Sequence, residues 1–136
     1  MTKYAGSNDL KEVGWYYENS GDKPLSGEWD ASKLTSNNCR THPVGQKKPN
    51  ELGLYDMSGN VWECCEDDWH GDYKNAPKDG SAWVDTPERG SRRVHRGGGW
   101  NATARGCRST CRVGWLPGDR VLNVGFRLAL APQSVG

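Results

Sequence analysis

The sequence predicts a loop-rich domain of short strands, on the strength of its glycine content, its ring-borne hydrophobicity and its lack of long helical periodicity. Eighteen glycines in 136 residues interrupt the chain too often for long regular elements. Only 34% of residues are hydrophobic and mean hydropathy is -0.89, yet there are seven Trp and five Tyr, so large rings must supply much of the core. This length has room for one modest core, and residues 1–136 read as a single domain.

Each element follows from local pattern. Gly14 to Tyr17, Leu52 to Tyr55 and Val61 to Cys65 are short apolar or aromatic pieces bounded by Gly, Pro, Asn and Ser, which reads as strand and turn. The one plausible helical turn is around Trp29 to Leu34, with Asp30 placed to cap Ala31 to Leu34. Lys74 to Arg93, rich in Lys, Asp, Pro and Gly, reads as an exposed excursion. Arg93 to Arg96 then runs as a strand into Gly97, Gly98, Gly99 and Trp100, where backbone must approach backbone. The last strand is expected over Val124 to Ala131. No internal repeat, heptad or low-complexity tract is present.

Lys plus Arg number 18 against 17 for Asp plus Glu, so no bulk charge draws the chain to nucleic acid or to a membrane surface. No apolar run is long enough to span a bilayer, and Met1 to Asp9 lacks the basic and apolar regions of a signal peptide. A partner must therefore be recognised by local shape. Cys39, Cys64, Cys65, Cys107 and Cys111 are an odd number, which leaves the redox compartment undecided. The C-x3-C spacing of Cys107 and Cys111 has no second pair to complete a zinc site. His42, His70 and His95 lie scattered with no catalytic partner at a readable spacing, and are read as structural or solvent-facing.

Four phrases, taken in order, resemble the formylglycine-generating-enzyme or sulfatase-modifying-factor family. They are Thr41-His42-Pro43-Val44-Gly45, then Gly53 through Glu63 with its Gly59-Asn60-Val61-Trp62-Glu63 core, then Arg93 through Trp100, and Asn123 through Leu128. Tyr4 to Asn8 is similar to the family's mid-domain segment, so the match corresponds to the C-terminal half of the family domain. The resemblance implies an α+β, loop-rich, C-type-lectin-like fold with short twisted antiparallel strands and few helices.

Members of that family that make formylglycine bind copper through two cysteines that follow the Gly-Gly-Ser-Trp or Tyr phrase. Thiolates suit Cu(I) because both are soft. Counted from Trp100, those positions hold Ala102 and Cys107, so one ligand is absent; no copper and no catalytic residue are expected, and the chain is read as a binder rather than an enzyme. The resemblance also implies that Cys65 and Cys107 lie close in space, whereas Cys64 stands where relatives carry Trp.

Between Trp100 and Phe126, framework residues alternate with unrelated ones, a layout similar to the variable proteins of diversity-generating retroelements. The interchangeable positions would be Asn101, Ala102, Thr103, Gly106, Thr110, Cys111, Val113, Gly114, Trp115, Leu116, Gly118, Val121 and Leu122. Apolar and aromatic anchors beside Arg112 and Arg120 suit recognition. For any single one of these side chains, Trp115 and Leu116 included, core packing is the plainer reading. As a group, with Gly114, Pro117 and Gly118 among them, residues 110 to 122 are expected on one solvent-facing patch.

The same resemblance implies a structural calcium ion held by Asp56, the carbonyls of Gly59 and Val61, and Glu63, a hard-oxygen set suited to that ion. The alternative is that Asp56 caps a turn and Glu63 pairs with an arginine. The leading expectation is thus a display domain that binds a protein or cell-surface ligand through residues 101–122, on a cell surface or virion. A degenerate or non-copper sulfatase-modifying-factor-type enzyme or accessory domain is the second reading, and a subunit of an oligomer the third.

Overall fold

The computed structural model describes residues 2–129. In chain order its elements are α1 (Leu10–Val13), α2 (Ala31–Ser36), β1 (Trp62–Asp68), β2 (Arg93–Arg96), β3 (Arg112–Trp115) and β4 (Val124–Gly125). The strands form one sheet in the order β3-β2-β1-β4. β2 pairs antiparallel with both β1 and β3, whereas β4 lies parallel to β1, so the sheet is mixed. A register shift interrupts β1 between Cys64 and Asp68. Loops make up most of the rest, as expected of an α+β, C-type-lectin-like domain.

Asp30 caps α2 as its sequence position suggested, accepting from the Ser32 amide at 2.8 Å. Asp9 does the same for α1, accepting from the Lys11 amide at 3.0 Å. One turn is too short to register as helical periodicity, which is why α1 is not legible in the sequence. It matters nonetheless, because Leu10 and Val13 are buried and join Tyr4, Tyr16 and Cys107 in the core cluster.

Two expected strands are not strands. Gly14, Tyr16 and Tyr17 are buried, but Gly14 approaches so closely that an added Cβ would lie 2.1 Å from the Ser58 carbonyl oxygen, and the Tyr17 amide reaches the Ala102 carbonyl at 3.0 Å. The segment is thus held by single contacts to separate loops rather than by a ladder. Leu52 to Tyr55 is exposed and turned, since the Asn50 side chain accepts from both the Leu52 and Leu54 amides at 3.0 Å. The final strand keeps only Val124–Gly125; residues 126–129 are not strand, and Leu130 and Ala131 lie outside the described residues.

The 74–93 excursion carries no helix or strand until β2 and is largely exposed, but its return is stitched to the end of β1. Asp68, fully buried, accepts from Arg89 Nε at 2.9 Å, from the Asp85 amide at 2.8 Å and from Arg93. Burial works against the Asp68 charge, yet the hydrogen bond from Arg89 and those from the Asp85 and Gly90 amides outweigh it and hold the carboxyl at about 2. His70 stacks on Trp83 with ring centroids 3.6 Å apart and reaches Asp85 at 2.9 Å.

At the end of β2 the chain meets the tight approach that its three glycines imply. Gly97 and Gly98 have φ of 93° and 76°, and a Cβ on Gly98 would fall 2.5 Å from Cys107 Sγ.

Candidate ligand-binding surface

Both ends of the 101–122 segment are tied to the frame. The Trp100 amide donates to the Asn60 carbonyl at 2.8 Å, and the Trp100 indole N–H to the Leu122 carbonyl at 3.3 Å. Asn123 Nδ2 donates to Asn101 Oδ1 at 2.9 Å, while the Trp62 amide holds the Asn123 carbonyl at 2.8 Å. Asn60 is itself fixed, exchanging two hydrogen bonds with the His42 backbone at 3.0 and 3.1 Å. The two ends of segment 101–122 are therefore held next to each other, beside the start of β1.

Within that segment the thirteen expected positions divide into four environments. Asn101 and Ala102 belong to the frame: the Asn101 carbonyl accepts from Trp29 Nε1 at 2.8 Å, and Ala102 packs on the core cluster. Thr103 and Thr110 are exposed on tight turns, and Cys111 is half-buried. Gly106 has room for a small side chain, since a Cβ there would meet its nearest neighbours at 3.4 Å.

Val113, Gly114 and Trp115 lie in β3, so residues 110 to 122 are not one continuous exposed loop. Pairing with β2 places His95 opposite Val113 and Val94 opposite Gly114. Strand alternation turns Arg112 and Gly114 to one face and Val113 and Trp115 to the other. Trp115 packs edge-on to Trp62 at 5.5 Å and lies 5.0 Å from His95, half-buried. Gly114 sits against Trp69, where a Cβ would be 2.4 Å from a ring carbon. The glycines that made this stretch read as a turn include one required by strand packing.

Leu116, Gly118, Val121 and Leu122 form the exposed remainder. Leu116 is 52% exposed, Val121 51% and Leu122 89%, so three apolar side chains face solvent on a turn held by Asp119, whose carboxylate accepts from the Leu116 amide at 3.1 Å.

Sequence reasoning missed two residues that adjoin this surface. The Arg112 guanidinium lies 4.5 Å from the Trp69 ring and 4.4 Å from the Tyr73 ring, and donates to the His70 and Asp72 carbonyls. Trp69 and Tyr73 lie about forty positions upstream and reach the site only through the β1–β2–β3 pairing, which nothing local encodes.

Asp56, Val61 and Glu63 line a cleft of about 370 Å³ together with Leu54, Tyr55, Phe126 and Arg127. Asp56 Oδ2 accepts from the Gly45 amide at 2.8 Å, but its Oδ1 is buried with no hydrogen-bond partner. Gly59 is not on the cleft wall; its amide donates to the Gly97 carbonyl at 2.7 Å. Glu63 is gripped by Arg127 through both carboxylate oxygens. Among the described residues no three His, Cys, Asp or Glu side chains converge as a metal-binding group.

All five cysteines are free thiols, and no bridge joins Cys65 to Cys107. Cys107 is fully buried; burial, with a smaller effect from Cys111, pushes its thiol up to about 12. Burial also raises the Cys65 thiol. No helix among the described residues is long and apolar enough to cross a membrane.

A small curled sheet carrying long tethered loops, with its most exposed apolar turn near the C-terminal end, defines the class: a lectin-like domain built to hold loops in place. The sulfatase-modifying factor enzyme 1-like domain matches residues 1–132, and the chain belongs to that family. It is 46% identical over 97 residues to chaperone protein LppX of Paenibacillus barcinonensis, covering 71% of this chain and 30% of the relative. With the formylglycine-generating enzyme of Thermomonospora curvata it shares 36% identity over 97 residues, covering 68% and 32%. Among solved structures it is similar to Treponema denticola variable protein 1, at a TM-score of 0.65 and 36% identity, covering 93% of this chain and 40% of that one. PvdO from Pseudomonas aeruginosa aligns at a TM-score of 0.66 and 34% identity, covering 85% and 38%. The chain spans about a third of the length of these curated relatives.

Proposed function

We propose that this domain displays a ligand-binding surface built on residues 101–122, whose exposed side chains are diversified by a retroelement, and that it recognises a protein or cell-surface ligand. The observation that carries this reading is the contrast within the segment. Its ends are hydrogen-bonded into the frame, while Leu116, Val121 and Leu122 each expose half or more of their surface to solvent and belong to no core cluster. Side chains so placed can be exchanged at little cost, which is what a recognition surface of changeable identity requires. Similarity to Treponema denticola variable protein 1 supports the same reading.

The test has two parts. A library varied at Leu116, Gly118, Val121 and Leu122 should keep wild-type thermal stability in most members and yield binders to unrelated proteins on selection. Collapse of most members would end the proposal. Sister copies of the gene should differ almost only at the exposed positions, beside a template repeat that differs at adenines.

A structural calcium ion is part of the proposal. The orphaned Asp56 Oδ1 fits a cation; Asp56 and the carbonyls of Gly59 and Val61 would hold it, and Glu63 would complete the set by exchanging its Arg127 pair for the ion. When bound, the ion supplies a positive centre that neutralises Asp56. The Gly45 amide holds the Asp56 carboxylate in place, and Arg127 holds Glu63 until the ion replaces it.

The 36% identity to a formylglycine-generating enzyme favours a second reading, a degenerate enzyme or accessory domain. Against copper chemistry stand Ala102, whose side chain has no ligand atom, and the full burial of Cys107. Oxygen-dependent oxidation of a cysteine peptide by the copper-loaded protein would establish the second reading over the first.

A further inference from the structure

We propose that an arginine-lined dish beside β3 is an anion subsite that takes acidic side chains of a protein ligand. The inference rests on the display reading and gives a chemistry to one part of that face. The dish has a volume of about 430 Å³ and is walled by Trp69, Arg105, Arg108, Thr110, Cys111 and Arg112. Three arginines line one opening in a chain whose net charge is only +1, so the positive field is local.

The three arginines are not equivalent. Arg112 is the anchored wall: clamped beside Trp69 and Tyr73 and donating to two backbone carbonyls, it is not free to swing toward another acid. Arg105 and Arg108 are exposed, and among the described residues neither forms an ion pair. Asp72, whose carbonyl Arg112 holds, has its own carboxylate turned to the Lys74 amide at 2.9 Å. Two unpaired guanidinium forks and one anchored cation therefore face solvent without an internal counter-charge.

A guanidinium fork matches a carboxylate with two parallel hydrogen bonds, and a preorganised fork loses less entropy on doing so than a lysine would. Two such forks beside an anchored cation, around an opening of this size, suit one or two carboxylates. A nucleic-acid backbone instead needs cations spread along a track. Gly106, Thr110 and Cys111 border or interleave these arginines, so the subsite would supply a constant electrostatic contact beside side chains that change.

The probe is hexaglutamate, titrated into the full chain by calorimetry at low and at moderate salt. It should bind, and bind more weakly as salt rises. Combining Arg105→Gln with Arg108→Gln should weaken binding at least about tenfold, with circular dichroism confirming an unchanged fold, whereas Lys78→Gln should leave binding unaltered. Equal binding by wild type and the double variant overturns the proposal. So does tighter binding of a sulfated disaccharide or a short DNA duplex through the same arginines. Absence of hexaglutamate binding in a protein whose 116–122 library still yields binders sinks the subsite alone and leaves the display reading standing.

Discussion

Arg127 grips Glu63 with two parallel hydrogen bonds, Nε to Oε2 at 2.9 Å and Nη2 to Oε1 at 2.7 Å, and adds a third contact to the Tyr55 carbonyl at 2.9 Å. The pair ties the chain just beyond β4 to β1 at the mouth of the cleft that holds the unpartnered Asp56 oxygen. Arg127→Ala should lower stability by about 1 kcal/mol in urea denaturation, since the pair is well formed but partly solvated. Calcium should raise the melting temperature of the chelator-treated wild type and leave Asp56→Ala unmoved. Equal responses from both would show that the orphaned oxygen is no ligand.

A second expectation concerns acid. The Asp68 carboxyl is held at about 2, below its ordinary 3.8, so it favours the folded state wherever the unfolded chain would also be ionised. Its contribution is complete above about pH 4 and lost as pH falls toward about 2. Asp68→Asn should cost about 2 kcal/mol at neutral pH, because it leaves Arg89 and Arg93 without their buried partner. The variant should also flatten the acid limb of the stability curve. An acid limb identical in wild type and variant would place the pH dependence elsewhere.

Three glycines separate frame from display. Gly98→Ala forces a side chain at positive φ into Cys107 and should cost about 2–4 kcal/mol. Gly114→Ala meets the Trp69 ring and should cost about 1–3 kcal/mol. Gly118→Ala has nothing within 4 Å of its new atom and should be as stable as wild type within about 0.5 kcal/mol. Thermal denaturation of the three variants orders them directly.

The thiols should differ sharply in reactivity. Cys64 is exposed, Cys65 half-buried with its thiol raised, and Cys107 sealed with its thiol near 12. Iodoacetamide at mildly alkaline pH should label Cys64 first and spare Cys107 until the protein unfolds. Early labelling of Cys107, read by mass spectrometry, would mean that the Gly98 approach opens readily.

What the sequence revealed were the features that local chemistry controls. Asp30 announces α2 because an N-cap needs only its own neighbours, and Gly97 and Gly98 announce a close approach because few other residues tolerate it. The family phrases brought the fold class with them. What stayed hidden depends on distant partners. β3 reads as exposed loop because Gly114 mimics a turn signal, although its true constraint is a tryptophan met only after the sheet forms. The Glu63 partner was legible as a type of residue, an arginine, but its position required the parallel pairing of β1 with β4.

The hydrogen bonds from Trp100 to Leu122 and from Asn123 to Asn101 act as a drawstring around everything threaded between them. Beyond β3, the entropic cost of closing the 116–122 turn grows only slowly with its length, by about 0.6 kcal/mol for each doubling. Insertions beyond Leu116 would therefore enlarge the bag without loosening its mouth, so the domain can accommodate changes in size as well as in side-chain identity.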